Sequence, residues 1–126
     1  LLRHVDDCCR VLSFEINSDL LAAVSCKNRN LRLINDDAEN LLSYLKRYKI
    51  KEVDYVVSSL PLAQMPREKR NRIFGVVHKS LRHGGQLLQY QYSLMNLRDL
   101  REVFSSVEVD FTPLNIPPAF IYKCTK

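Results

Sequence analysis

Alternation is the feature that most narrows what this chain can fold into: short runs of β-forming residues are each followed by a segment whose apolar positions repeat with helical period. Residues 10–16 (RVLSFEI) read as a first strand, and Asn17 or Ser18 can then cap a short helix carrying Leu20, Leu21 and Val24. Residues 31–35 form a second strand, after which Asp36 and Asp37 can cap a helix with Ala38, Leu41, Leu42, Leu45 and Tyr48 on one stripe. Residues 53–59 are mostly apolar, as a strand covered on both faces should be, and Leu60–Pro61 ends the run. Pro66 fits the first turn of a third helix, which presents Ile73, Phe74, Val77 and Leu81 on one face. That helix is expected to stop at Gly84–Gly85, where a left-handed cap costs little. A fourth strand over 86–92, a helix around 96–104 and two strands at 107–111 and 119–123 complete the order.

Three strand–helix pairs followed by a strand imply a mostly parallel sheet with helices on both faces and right-handed crossovers. The last two strands have only a loop between them, which suits an antiparallel edge pair. The expectation is one doubly wound α/β domain over residues 1–126.

With 126 residues and 46% hydrophobic content, the chain can bury a core without metal or disulfide staples. Cys8, Cys9, Cys26 and Cys124 show no C-x-x-C spacing and no histidine at ligand distance, which argues against a zinc site and for packing residues in a reducing, cytoplasmic compartment. No apolar run approaches the roughly 18 residues of a membrane span, and no leader with a cleavage site is visible. Much of the formal charge of +5 sits on Arg67, Lys69, Arg70, Arg72, Lys79 and Arg82 of one predicted helix. A solvated face is the plain reading of that cluster, and peripheral contact with an anionic membrane is the functional one, ahead of nucleic acid. The chain opens on Leu1 rather than methionine and is expected to be a piece of a longer product.

In sheets of this class, ligands bind beyond the carboxyl ends of the strands. Glu15 closes the first strand, where a carboxylate can accept hydrogen bonds from both ribose hydroxyls of a nucleoside. Asp37, with Ala38 beside it, can accept from an adenine amino group, can cap its helix, or can do both. Ser58, Ser59, Leu60 and Pro61 give the third strand a polar and then rigid exit, which a plain turn would also do. Tyr90 and Tyr92 put aromatic faces along the fourth strand, where a cation could stack, although tyrosine is also a common strand residue. His4, His78 and His83 have no partner motif, so no general base is nominated and the catalytic residues stay unknown.

These segments together resemble class I methyltransferases. Residues 14–17 (FEIN), 35–39 (NDDAE) and 53–62 (VDYVVSSLPL) are similar to successive motifs of that family, and 81–85 (LRHGG) is similar to the Leu-x-x-Gly-Gly turn before its fifth strand. The 58–62 exit, residues 89–92 (QYQY) and 115–122 (NIPPAFIY) look closest to bacterial phospholipid N-methyltransferases, which act on phosphatidylethanolamine. The resemblance implies a Rossmann-like methyltransferase fold and S-adenosylmethionine as cofactor. It places Glu15 at the ribose, Asp37 and Ala38 at adenine and Ser58 near the methyl group, with Ser59, Leu60, Pro61, Tyr90 and Tyr92 on the acceptor side. Acceptors in this reading are a phospholipid headgroup amine, or alternatively RNA or a small amine; a non-catalytic α/β interaction module is the rival outside enzymes.

One departure from the family matters. Its first strand and Gly-x-Gly-x-Gly turn have no counterpart, because the three glycines are Gly75, Gly84 and Gly85. Leu1 to Val5 is expected to be the tail of the helix that follows that turn. The missing strand would lie between those ending at Glu15 and Ser59, so either another segment or chain completes the sheet or the two flanking strands pair directly. The piece alone is expected to bind cofactor weakly or to be inactive.

Overall fold

A computed structural model describes residues 9–24, 29–114 and 116–126. The chain splits into two compact units, Leu1–Asn40 and Leu41–Lys126. The expected helix tail at Leu1 to Val5, together with His4, Cys8, Cys26 and Asn115, lies outside the described residues.

In the first unit β1 (Val11–Phe14) and β2 (Leu31–Ile34) form a two-stranded parallel sheet, with Phe14 opposite Ile34. Between them runs α1 (Ser18–Ala22), capped by Asn17, whose Oδ1 accepts from the backbone N–H of Asp19 at 2.9 Å and of Leu20 at 3.2 Å. A 3₁₀ turn at Ala38–Asn40 follows β2.

The second unit contains α2 (Leu41–Arg47), β3 (Val53–Ser58), α3 (Arg67–Ser80), β4 (Leu81–Gln91), α4 (Leu97–Val103), β5 (Ser106–Thr112) and β6 (Ala119–Thr125). Its four strands lie in the order β3-β4-β6-β5. β3 and β4 are parallel, whereas β6 is antiparallel to both β4 and β5, so the expected C-terminal antiparallel pair is present. This is the α/β architecture anticipated from the alternation. β1 and β3, the strands flanking the expected gap, belong to different sheets rather than pairing with each other.

Strand periodicity sorts the second sheet into two faces. Val56, Leu87, Cys124 and Val107 stand opposite one another in one row, and Ser58, Gln89, Tyr122 and Val109 in the next. Onto this face pack Ile73, Phe74 and Val77 of α3 with Leu100 and Phe104, forming the core. The other face begins with Tyr55 and Val57, which are 61% and 58% exposed.

The glycine pair does something different from what the sequence suggests. α3 ends at Ser80, and Leu81 is already extended at φ −70° and ψ 142°. The glycines lie in a bulge of β4: Val53 pairs with Leu81 but Tyr55 with Gln86, so residues 82–85 loop out of register. Gly84 takes φ +71°, and Lys126 closes the bulge: the Gly84 N–H donates to the Lys126 carbonyl at 3.2 Å and the Lys126 N–H to the Gly85 carbonyl at 3.0 Å. Leu81, expected on the helix face, is instead a fully buried strand residue.

Cys124 sits inside this core, and burial pushes its thiol from the ordinary value of 9.0 up to about 12. The folded chain therefore keeps the proton that the unfolded chain begins to lose near pH 9.0. The stability contributed by this group is complete below that pH and is lost as pH rises toward about 12. Cys124→Ala should flatten the alkaline decline in denaturant midpoints; identical pH slopes for the two proteins would contradict the assignment.

Candidate functional site

In the first unit the carboxyl ends of both strands are fastened together by local polar groups. The Glu15 N–H donates to the Ile34 carbonyl at 3.0 Å, and Asn35 Nδ2 donates to the Glu15 carbonyl at 2.8 Å and the Ile16 carbonyl at 3.1 Å. Glu15 is thus anchored by its backbone while its carboxylate stays half-buried, with Oε1 accepting from the Asn17 N–H at 2.8 Å. Asp37 follows three residues after β2, and its Oδ1 accepts from the Glu39 N–H at 2.9 Å, so it caps the 3₁₀ turn that Ala38 begins. The sequence thus brings Glu15, Asp37 and Ala38 to the same end of a parallel pair.

Ser58, Ser59, Leu60, Pro61, Tyr90 and Tyr92 lie in the second unit, at the carboxyl ends of the parallel strands β3 and β4. Ser58 ends β3 and its Oγ accepts from the Leu60 N–H at 3.3 Å, folding the exit back on itself. Pro61 then precedes a 3₁₀ turn at Leu62–Gln64. Tyr90 and Tyr92 meet edge to face at 5.3 Å between ring centroids, and Tyr92 is 58% exposed.

What fixes this exit is a pair of residues that sequence reasoning passed over. Gln89 and Gln91 alternate with the tyrosines, face the core and are only 1% and 6% exposed. Both Nε2 groups donate to the Leu60 carbonyl, at 3.3 and 2.7 Å, and both also donate to the Tyr90 carbonyl, at 3.1 and 2.7 Å. A buried amide must find partners, and here the partners are the loop that leaves β3. The signal was legible in principle: two glutamines two apart share the strand face that carries Leu87, and a polar pair in that position needs something to bind.

The basic helix divides. Since β3 and β4 are parallel, α3 runs back against them, placing Arg67 and Arg70 at the carboxyl-end rim and Lys79 near the opposite end. Arg70 is not free for a ligand: its Nε and Nη2 donate to Asp99 Oδ2 at 3.1 and 2.7 Å, and its Nη1 to the Leu62 and Met65 carbonyls. Arg82 is paired with Asp54 at 2.6 Å near the amino end of β3. His78 is lowered by burial and then by the charge of Lys126, and its ring meets Phe104 edge to face at 5.5 Å, a packing role.

Among the described residues no group of His, Cys, Asp and Glu could hold a metal ion. No helix among them is long and apolar enough to cross a membrane.

No family model matches the chain. Over 120 residues it is 32% identical to an ornithine lipid N-methyltransferase from Singulisphaera acidiphila, a match covering 92% of this chain and 62% of that protein. Among solved structures it resembles a precorrin-6y C5,15-methyltransferase from Geobacter metallireducens, with a TM-score of 0.68 at 17% identity over 93% of this chain and 67% of that one. An rRNA methylase from Streptococcus thermophilus matches with a TM-score of 0.59 at 17% identity, covering 92% of this chain and 73% of that one. A Streptococcus mutans protein in complex with SAH, assigned to the methyltransferases, matches with a TM-score of 0.63 at 16% identity over 93% of this chain and 72% of that one. The fold is therefore that of the Rossmann-like methyltransferases.

Proposed function

From a Rossmann-like methyltransferase fold and a sequence related to a lipid N-methyltransferase, we propose that residues 1–126 are part of one methyltransferase domain that transfers a methyl group to the headgroup amine of a lipid. The methyl donor is S-adenosylmethionine, the species from which the SAH bound by the Streptococcus mutans neighbour would remain after transfer. The observation that carries the acceptor is the match to the ornithine lipid enzyme, which spans 92% of this chain.

The residues present suit the adenosine half of that cofactor. Glu15 offers a backbone-anchored carboxylate to the ribose hydroxyls, and Asp37 with Ala38 borders adenine. For the methionine half no glycine turn is available, because Gly75 lies within α3 and Gly84 and Gly85 form the β4 bulge. This supports a second part of the proposal: another segment or chain completes the domain beside β3, whose outward face carries exposed Tyr55 and Val57 and whose one ladder partner among the described residues is β4. The chain spans 62% of the length of its Singulisphaera relative.

The donor supplies an electrophilic methyl group. Ser58, Ser59, Leu60 and Pro61, fixed by Gln89 and Gln91, hold the acceptor amine at the carboxyl end of β3, and Tyr90 and Tyr92 offer ring faces to an ammonium headgroup. Positioning of this kind needs no nucleophilic side chain: the headgroup ammonium would first give a proton to solvent, and the freed lone pair would take the methyl as the donor's carbon–sulfur bond breaks and SAH leaves.

Labelled-methyl transfer by the full-length product to phosphatidylethanolamine, ornithine lipid, ribosomal RNA and small amines tests the acceptor. Lipid labelling is expected, and labelling of RNA alone would replace this reading with the RNA one that the rRNA methylase neighbour favours. In the same product, Glu15→Gln should weaken SAH binding by about tenfold in calorimetry, since an amide keeps one acceptor and loses the charge. Unchanged affinity would remove Glu15 from the ribose.

A further inference from the structure

At the carboxyl-end rim of the second sheet, two neighbouring loops expose aliphatic side chains to a degree that the fold does not need. β4 leads into α4 through residues 92–96, and β5 into β6 through 113–118. Both loops sit at one end of the sheet, since Gln91 and Phe111 both pair with Phe120, and the Tyr122 hydroxyl donates to the Ser93 carbonyl at 2.6 Å. Leu94, Met95, Leu114 and Ile116 are 47%, 76%, 95% and 96% exposed. Neither loop contains a charged residue.

Single exposed leucines are ordinary, but a cluster at the tips of adjacent loops is not. Charge lies beside this cluster rather than in it. Arg67 and Arg98, at the starts of α3 and α4 on the same rim, have side chains 67% and 88% exposed. Arg67 stands 3.6 Å from Asp99, and Arg98 is 3.3 Å from Glu102. Both guanidinium groups reach solvent, and the Arg98–Glu102 pair, exposed on both sides, is of the weakly held kind. Uncharged aliphatic tips flanked by arginine match the layering of a bilayer surface, with hydrocarbon below and anionic headgroups above.

We propose that residues 92–96, 113–114 and 116–118 form a membrane-insertion rim, with Leu94, Met95, Leu114 and Ile116 entering the acyl layer and Arg67 and Arg98 meeting anionic headgroups. The proposal rests on the lipid reading of the acceptor and deepens it: insertion would bring the ends of β3 and β4 to headgroup depth, so that the amine need not leave the bilayer.

Because the chain has no tryptophan, Met95→Trp and Leu114→Trp each introduce a single reporter. With vesicles containing phosphatidylglycerol, both should shift to the blue and be quenched by brominated acyl chains, whereas Lys79→Trp at the opposite end should do neither. Replacing Leu94, Met95, Leu114 and Ile116 together by serine should weaken vesicle binding by about tenfold or more while leaving the melting profile cooperative. Absent quenching at both rim positions, or equal quenching at residue 79, would overturn the proposal. So would a rim that is instead covered in a dimer, seen as a serine variant that turns a sedimenting dimer into a monomer without altering vesicle binding. Labelled-methyl transfer by the full-length product to a water-soluble short-chain aminolipid separates the two readings. Turnover there without rim quenching sinks the rim alone, and quenching without methylation of any lipid sinks the acceptor alone.

Discussion

Arg70→Met should cost about 3–5 kcal/mol in urea denaturation, the range for leaving one member of a mostly buried ion pair without its partner. The side chains of Arg70 and Asp99 are both 13% exposed and meet at 2.7 Å. Arg70 also ties α3 to the loop after β3, because its Nη1 donates to the Leu62 carbonyl at 3.2 Å and the Met65 carbonyl at 3.3 Å. The substitution therefore strands a carboxylate and two carbonyls at once. Arg67, 3.6 Å from Asp99 but 67% exposed, can recover only part of the loss. Lysine should serve little better than methionine, since one ammonium cannot reproduce the planar fork that faces three acceptors. The double variant Arg70→Met, Asp99→Leu should regain most of the stability. A single-variant loss under about 0.5 kcal/mol, the scale of a surface pair, would mean that this brace is solvated.

Gly85→Ala should be nearly as damaging, at about 3 kcal/mol, the upper end for forcing atoms into a packed site. An added Cβ would stand 2.9 Å from the Arg82 carbonyl oxygen and 3.1 Å from that of Asp54, both backbone atoms. Neither oxygen can retreat without opening the bulge that Lys126 closes through its N–H bond to the Gly85 carbonyl. Gly84→Ala should cost less, about 1–2 kcal/mol, because its φ of +71° strains an L residue although the nearest neighbour is the flexible Arg82 side chain at 3.7 Å. Thermal unfolding of the two variants gives the order directly. A Gly84 variant worse than the Gly85 variant would contradict the bulge as described.

The alternation in the sequence was enough to find the six strands of the described residues and to separate the antiparallel end from the parallel beginning. Strand periodicity and turn residues are local, and each run carried its own boundary signals. The glycine pair was misread for a reason that is not local. Leu81 continues the helical stripe of Ile73, Phe74 and Val77, yet the sheet claims it, because it pairs with Val53 of β3, far away in sequence, and is fully buried there. The candidate site was legible as a set of strand ends. Ser58 to Pro61 could be named from their position after an apolar run, whereas for Gln89 and Gln91 the sequence shows only a polar pair on the strand face of Leu87, without its partner. Their role depends on the parallel pairing of β3 with β4, a relation between residues about thirty positions apart that no window of sequence displays. For the basic helix, likewise, charge can be counted from letters, but the partnership of Arg70 with Asp99 cannot.

The placement of β6 between β4 and β5 bears on how the polypeptide emerges during synthesis. Residues 119–125 are the last of these strands to be translated, yet they occupy an interior position in the sheet. Until they clear the ribosome, β4 and β5 lack a common neighbour, and Leu87 and Val107 have no Cys124 to close their row. A nascent chain stalled short of residue 119 would present bare strand margins to solvent, the kind of surface that draws unfolded chains together.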